Sequence, residues 1–135
     1  MKKNTIIYWV STGLLSFMML FSAYSYFTKP ELAAAFKHLG FPDYLRIELA
    51  VAKIIAALVL VIPQISTRVK EWAYAGLGIT FISAAIAHFS SGDPASVAAM
   101  PIIFFVVLVV SYIYLYKKNK PVIATIKNDL KTSLA

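Results

Sequence analysis

Cysteine is absent from this chain. That excludes a disulfide scaffold, a thiol nucleophile and any thiolate-held metal or iron–sulfur centre. Charge is also scarce: 14% of residues are charged, where a soluble domain carries about a quarter. Acids are the scarcest kind, with 6 Asp and Glu against 13 Lys and Arg. Histidine occurs twice, and only His88 falls in an apolar stretch, so haem ligated from both sides within a membrane is excluded. No His/carboxylate spacing reads as a metal site, and no glycine-rich nucleotide loop is present. What fills the sequence instead is apolar: 60% of residues are hydrophobic and the mean hydropathy is +0.75. A soluble domain is nearer half apolar, so this composition points to a membrane protein.

Four apolar stretches can be drawn: Ile6 to Phe27, Tyr44 to Ile62, Trp72 to Phe89 and Ser96 to Tyr116. Each is close to the ~20 residues a helix needs to cross a hydrocarbon core about 30 Å thick. The connections are short, and only helices satisfy the backbone of such spans in lipid. The expected fold is all-α, an integral membrane four-helix bundle over residues 1–118, followed by a basic tail over 119–135. The first stretch is too long for a signal-peptide core and lacks a clear small-x-small cleavage site, so it reads as a retained span.

The net charge of +7 does not indicate nucleic acid, because the basic residues lie at the chain ends and in short connections. With four spans, Lys2, Lys3, Arg68, Lys70, Lys117, Lys118, Lys120 and the tail lysines share one side. The positive-inside rule makes that side cytoplasmic, which predicts a bacterial inner-membrane protein with both termini in the cytoplasm. Tyr8, Trp9, Trp72, Tyr74, Tyr114 and Tyr116 are expected in the inner aromatic belt, and Tyr24, Tyr26 and Tyr44 in the outer one.

The first outer connection, "TKPELAAAFKHLGFPDY", predicts a short amphipathic helix on the outer surface. Pro30 opens it, Leu32, Ala35, Phe36 and Leu39 give the apolar face, and Gly40 closes it. His38 is expected to be solvated, and Asp43 to cap the second span.

Charges inside a span are the informative feature, since each is expensive there. The second span has Arg46, Glu48 and Lys53. Asp43, three residues earlier, can neutralise Arg46. Lys53 lies about ten residues in, roughly 15 Å deep. No acid stands three or four positions from it, and its chain should lean back towards the outer end. Glu48 points about 140° away, so it needs a partner from another element. His88, Ser22, Ser25, Tyr26 and Asp93 are expected at similar depth. On the third span, Gly76, Thr80, Ser83 and Ala87 form a small-residue stripe that predicts a helix-packing face.

Two segments, "KHLGFPDYLRIELAVAKIIAALVLVIP" and "RVKEWAYAGLGITFISAAIAHFSSGDP", resemble the DoxX-like family of small four-span bacterial membrane proteins. The resemblance rests on the Gly-Phe-Pro turn, the Lys-Glu-Trp-Ala-Tyr-Ala-Gly entry to the third span and its His-x-x-Ser-Gly-Asp exit. It covers about Tyr8 to Lys117. It implies a four-helix inner-membrane protein. The family takes its name from a subunit of a quinone-linked oxidoreductase of sulfur metabolism, many members have no assigned activity, and distant eukaryotic relatives are assembly chaperones.

The leading expectation is an accessory protein of a membrane redox system. A polar pocket open to the outer leaflet would bind a small lipophilic ligand of the quinone type, held without a covalent bond. His88, Glu48, Lys53, Arg46 and Tyr26 are the expected ligand-binding residues. A histidine can donate to a carbonyl or exchange a proton near neutral pH. The lipid bilayer, a redox protein and a second copy of the chain are the expected partners. Two other readings stay open: a non-catalytic scaffold or assembly chaperone working through the small-residue stripe, and a small transporter with Lys53 as its midplane site. No residue pattern names a reaction.

Overall fold

The computed structural model describes residues 2–134, the side chains of residues 120–122 excepted. Five helices follow in order: α1 (Lys2–Thr28), α2 (Pro30–His38), α3 (Asp43–Val61), α4 (Thr67–Ser90) and α5 (Ala95–Leu134). No strand occurs among the described residues.

Local chemistry sets the breaks. Pro30 occupies the first turn of α2, and Gly40 ends that helix in the left-handed region at φ +82, which glycine adopts without steric penalty. Pro63 pushes the residue before it out of helical geometry, and Ile62 is accordingly extended after α3. Ser66 caps α4 by accepting the Val69 N–H at 3.4 Å. Gly92, at φ +74, turns the chain after α4. Asp43 does not cap α3: it is the first helical residue, with Pro42 at the cap position. Its carboxylate is taken by Arg46 instead.

Helix α1 is central and packs against both α3 and α5; α4 packs against α5. Between α3 and α4 the contact is sparse. One end of this assembly carries the α1–α2–α3 and α4–α5 connections and is called here the loop end. The other, the termini end, carries Lys2, the α3–α4 connection and the part of α5 beyond Tyr116. The surface helix α2 packs at the loop end on α3 and α1, with Phe36 buried edge-on to Tyr26, ring centroids 5.1 Å apart.

The core is built from Tyr8, Leu15 and Met19 of α1, Ala57 and Leu60 of α3, Leu77 and Phe81 of α4, and Leu108 and Leu115 of α5. Around it the outward surface is apolar. Ile6, Phe17, Phe21, Ile79, Ile86 and Ile103 are exposed, and Trp72 reaches 79%. Apolar surface on this scale suits a lipid surround and not water. By length and composition α1, α4 and α5 can each cross a membrane. α3 has 19 residues but carries Asp43, Arg46, Glu48 and Lys53. Helix α5, with 40 residues, is about 60 Å long, twice the thickness of a hydrocarbon core.

The small-residue stripe of α4 does not pack inside the bundle. Gly76 and Ser83 are exposed, and a Cβ built on Gly76 meets nothing within 4 Å. The buried face holds Tyr74, Leu77, Gly78, Phe81 and Ala85. Gly78 is the glycine facing a neighbour; its Cβ would lie 3.5 Å from Leu108 and 3.6 Å from Phe105. Helix α4 is apolar nearly all round, so periodicity could not select the inward face.

Candidate functional site

Three of the five expected site residues meet at the loop end of α1 and α3. Lys53 is 6% exposed. Its chain leans back along α3, as helical geometry requires, and Nζ donates to Ser22 Oγ at 2.9 Å. The same ammonium lies 3.8 Å from the centroid of the Tyr26 ring. No carboxylate is within ion-pair distance of it among the described residues. The Tyr26 carbonyl accepts from Arg46 Nη1, and Asp43 Oδ1 accepts from Arg46 Nε at 3.0 Å and Nη2 at 2.9 Å. Arg46 is therefore neutralised on its own helix while tying α3 to the last turn of α1. Tyr26 covers Lys53.

A groove of about 400 Å³ runs between α3 and α4 where they contact little. Lys53 lines it, together with Leu49 and Ala56 of α3 and Trp72, Gly76 and Thr80 of α4. Among the described residues, Lys53 is the one charged residue in its wall. An ammonium has three N–H donors and Ser22 uses one.

His88 and Glu48 are not brought together. Glu48 is exposed on α3, and no other described residue lies within ion-pair or hydrogen-bond distance of it. His88 Nδ1 lies 2.7 Å from Asp93 Oδ2. Asp93 Oδ1 lies 2.9 Å from His38 Nε2, so the carboxylate bridges two imidazoles. Gly92 makes this possible: its left-handed turn brings Asp93 back over α4, and the Asp93 N–H donates to the His88 carbonyl at 3.1 Å. The result clamps the end of α2 to the α4–α5 connection. Hydrogen bonds from His88 and then from His38 hold the Asp93 carboxyl below the usual carboxylate range. His38 is exposed, as expected of a surface helix, and is paired with Asp93 as well. No cluster of three or more metal-ligating residues suited to an ion occurs among the described residues.

A second polar system was not anticipated. Ser111 Oγ lies 2.6 Å from both Thr12 Oγ1 and Tyr74 Oη. Nearby, Lys70 Nζ contacts Tyr8 Oη at 3.5 Å and the Leu60 carbonyl at 3.3 Å. Tyr8 is 0% exposed and Tyr74 is buried as well, so neither belongs to an interfacial belt. These hydroxyls link α1, α4 and α5 inside the bundle. Their signal in the sequence was a hydroxyl on the buried face of each helix, legible only once those faces are known.

The model of the DoxX-like family matches residues 10–111 of the chain. No curated protein and no solved structure matches it. The matched region contains α2, α3 and α4 entire, and with them Lys53, Tyr26, the groove between α3 and α4, and the His38–Asp93–His88 bridge. It stops before the last part of α5.

Proposed function

The chain belongs to the DoxX-like family of multi-pass membrane proteins, and from that premise we propose that it is an accessory component of a membrane redox system that binds a small lipophilic, quinone-like ligand. Its place is the bacterial cytoplasmic membrane, with α3 as a fourth span and both termini in the cytoplasm, the side to which the lysines of the chain ends and of the α3–α4 connection point.

The observation that carries this reading is Lys53, a charge without a carboxylate partner in the wall of an apolar groove between α3 and α4. A polar residue in a membrane span is a functional-site hypothesis by default. Here the ligand class follows from the surroundings. A ring carbonyl oxygen would accept from an N–H of Lys53 that Ser22 does not take, and an apolar tail would lie along Leu49, Ala56, Trp72 and Gly76. Tyr26 and Ser22 hold the ammonium from behind, and Arg46 fixes Tyr26. His88 and Glu48 fall outside this site; the proposed role of His88 is to hold α2 through Asp93.

Native mass spectrometry and organic extraction of the detergent-purified protein test the reading. A quinone-like molecule should copurify with the wild-type chain. Lys53→Met should reduce its occupancy by about tenfold or more, the loss matching a charge-assisted hydrogen bond of about 1.5–3 kcal/mol. A wild-type preparation without such a molecule, or one that Lys53→Met leaves unchanged, refutes it.

A second reading, a scaffold or assembly chaperone, is favoured by the outward small-residue face of α4, where Gly76 and Ser83 are exposed and a partner helix could approach closely. Capture of a membrane partner that survives Lys53→Met and fails with Ser83→Leu would favour that reading over ligand binding.

A further inference from the structure

Beyond Lys118, whose Nζ lies 4.7 Å from the centroid of the Tyr8 ring, α5 continues to Leu134. This segment lies outside the family match. It is exposed throughout from Ile123 to Leu134, yet its apolar residues are not scattered. Ile123, Ile126, Leu130 and Leu134 are all exposed, and at about 100° per residue they fall within an arc of about 80°. Lys127 and Lys131 flank that arc on one edge. The segment's one acid, Asp129, lies about 60° beyond the opposite edge, as far from the arc as Lys131 is on its side. Lys117, Lys118 and Lys120 precede it, at the end of the apolar stretch.

We propose that Ile123 to Leu134 forms a second, interfacial membrane contact, docking its apolar stripe on the lipid surface at the termini end and binding anionic phospholipid headgroups through Lys127 and Lys131. Charge complementarity selects this occupant. The stripe is edged by ammonium groups whose apolar stems reach along it, the arrangement by which lysines snorkel to a headgroup layer. A second copy of the chain is a poorer fit: one acid, Asp129, stands against two lysines in the segment and three just before it, so two adjacent segments would bring together a large excess of like charge. Proximity is supplied by the chain itself, since the segment begins about one helical turn past the lysines that end the apolar stretch. Continued straight, α5 would hold the stripe in water. Pro121 has no N–H for the Lys117 carbonyl, so a backbone bond is missing near the membrane boundary, where a bend into the surface is least costly.

The experiment uses the full chain in vesicles. Because the protein lacks cysteine, Ser133→Cys gives a single site for a nitroxide spin label, at the edge of the stripe. The label is compared in phosphatidylcholine alone and in phosphatidylcholine with phosphatidylglycerol. With the anionic lipid it should become accessible to oxygen and protected from a water-soluble nickel reagent, and the protection should fall at high salt. Lys127→Gln/Lys131→Gln should lower the docked-to-free ratio about thirty-fold, as expected for two lysines each worth about 1 kcal/mol near an anionic surface. A label exposed to water in both lipids overturns the proposal. So does dipolar broadening between labels on two copies that is the same in both lipids, which would make the stripe a contact between chains.

Discussion

Lys53 and Tyr26 meet with the ammonium 3.8 Å from the ring centroid, and Ser22 Oγ, one turn earlier on α1, accepts from Nζ at 2.9 Å. With α3 as the fourth span proposed above, placing a lysine at its middle costs about 3 kcal/mol on insertion scales. A desolvated cation–π contact returns about 2 kcal/mol, and a charged hydrogen bond about 1.5–3 kcal/mol. The returns exceed the cost by about 0.5–2 kcal/mol on these figures. Lys53 therefore adds at most about 2 kcal/mol to the stability of the fold, and stability alone is a weak account of its presence beside an apolar groove.

That balance makes Lys53→Met a clean probe. Methionine keeps the length and the packing of the side chain without its charge. The variant should unfold in a detergent titration within about 2 kcal/mol of wild type, while losing the lipophilic ligand proposed above. A large loss of stability would mean that the ammonium holds α1 to α3 and that its contact with Tyr26 is structural.

Asp93 joins α2 to the end of α4 through His38 and His88. Asp93→Asn removes the charge from both contacts. Amide exchange in Pro30–His38 should accelerate while exchange in α1 and α5 stays unchanged. The pH dependence has a definite sign. The carboxyl is held below its ordinary value by the two histidines, so its contribution is present above the unfolded-state value of about 3.9 and is lost as pH falls through the lower folded-state value. Protection of α2 amides should accordingly fall away below about pH 4 in wild type. In Asp93→Asn that acid step should be missing.

How much of this was legible depended on whether sequence neighbours met. The Asp43–Arg46 pair was readable because residues three apart on a helix share a face. Lys53 was readable as a charge needing partners from another helix, because no acid stands at helical spacing from it. The His88–Asp93 contact spans five residues and exists only because Gly92 adopts φ +74, which a helical wheel cannot represent. His38 meets Asp93 across 55 positions. Tyr8 and Tyr74 were assigned to the interface because tyrosine favours it, but both turn inward to polar partners. In a chain apolar on nearly every face, a buried hydroxyl carries more information about the inward side than a small or apolar residue does.

The Ser111 hydroxyl tests that point. It lies 2.6 Å from both Thr12 and Tyr74, so Ser111→Ala takes a hydrogen-bond partner from each of two buried hydroxyls. Hydrogen bonds in membrane bundles average about 0.6 kcal/mol each, with a maximum near 1.7 kcal/mol. The expected loss is about 1 kcal/mol in the same detergent titration. Adding Thr12→Val and Tyr74→Phe should recover much of it, because replacing every partner by an apolar group removes the unsatisfied polar atoms. A triple variant less stable than Ser111→Ala by the sum of two further independent losses would mean that the hydroxyls do not act as one network.

Gly76→Leu separates the groove from the fold. The glycine is helical and a Cβ there meets nothing within 4 Å, so the substitution introduces no clash. Replacing glycine by leucine within a helix should itself stabilise by up to about 1 kcal/mol. The new side chain, however, grows from a residue that lines the groove with Lys53 and Trp72, and a leucine fills a large part of the space there. The variant should therefore be at least as stable as wild type while retaining less of the lipophilic ligand. That opposite movement of stability and occupancy is what distinguishes a binding groove from a packing defect. If stability fell instead, Gly76 would be in contact with another helix in the membrane, and the outward face of α4 would be an interface between proteins.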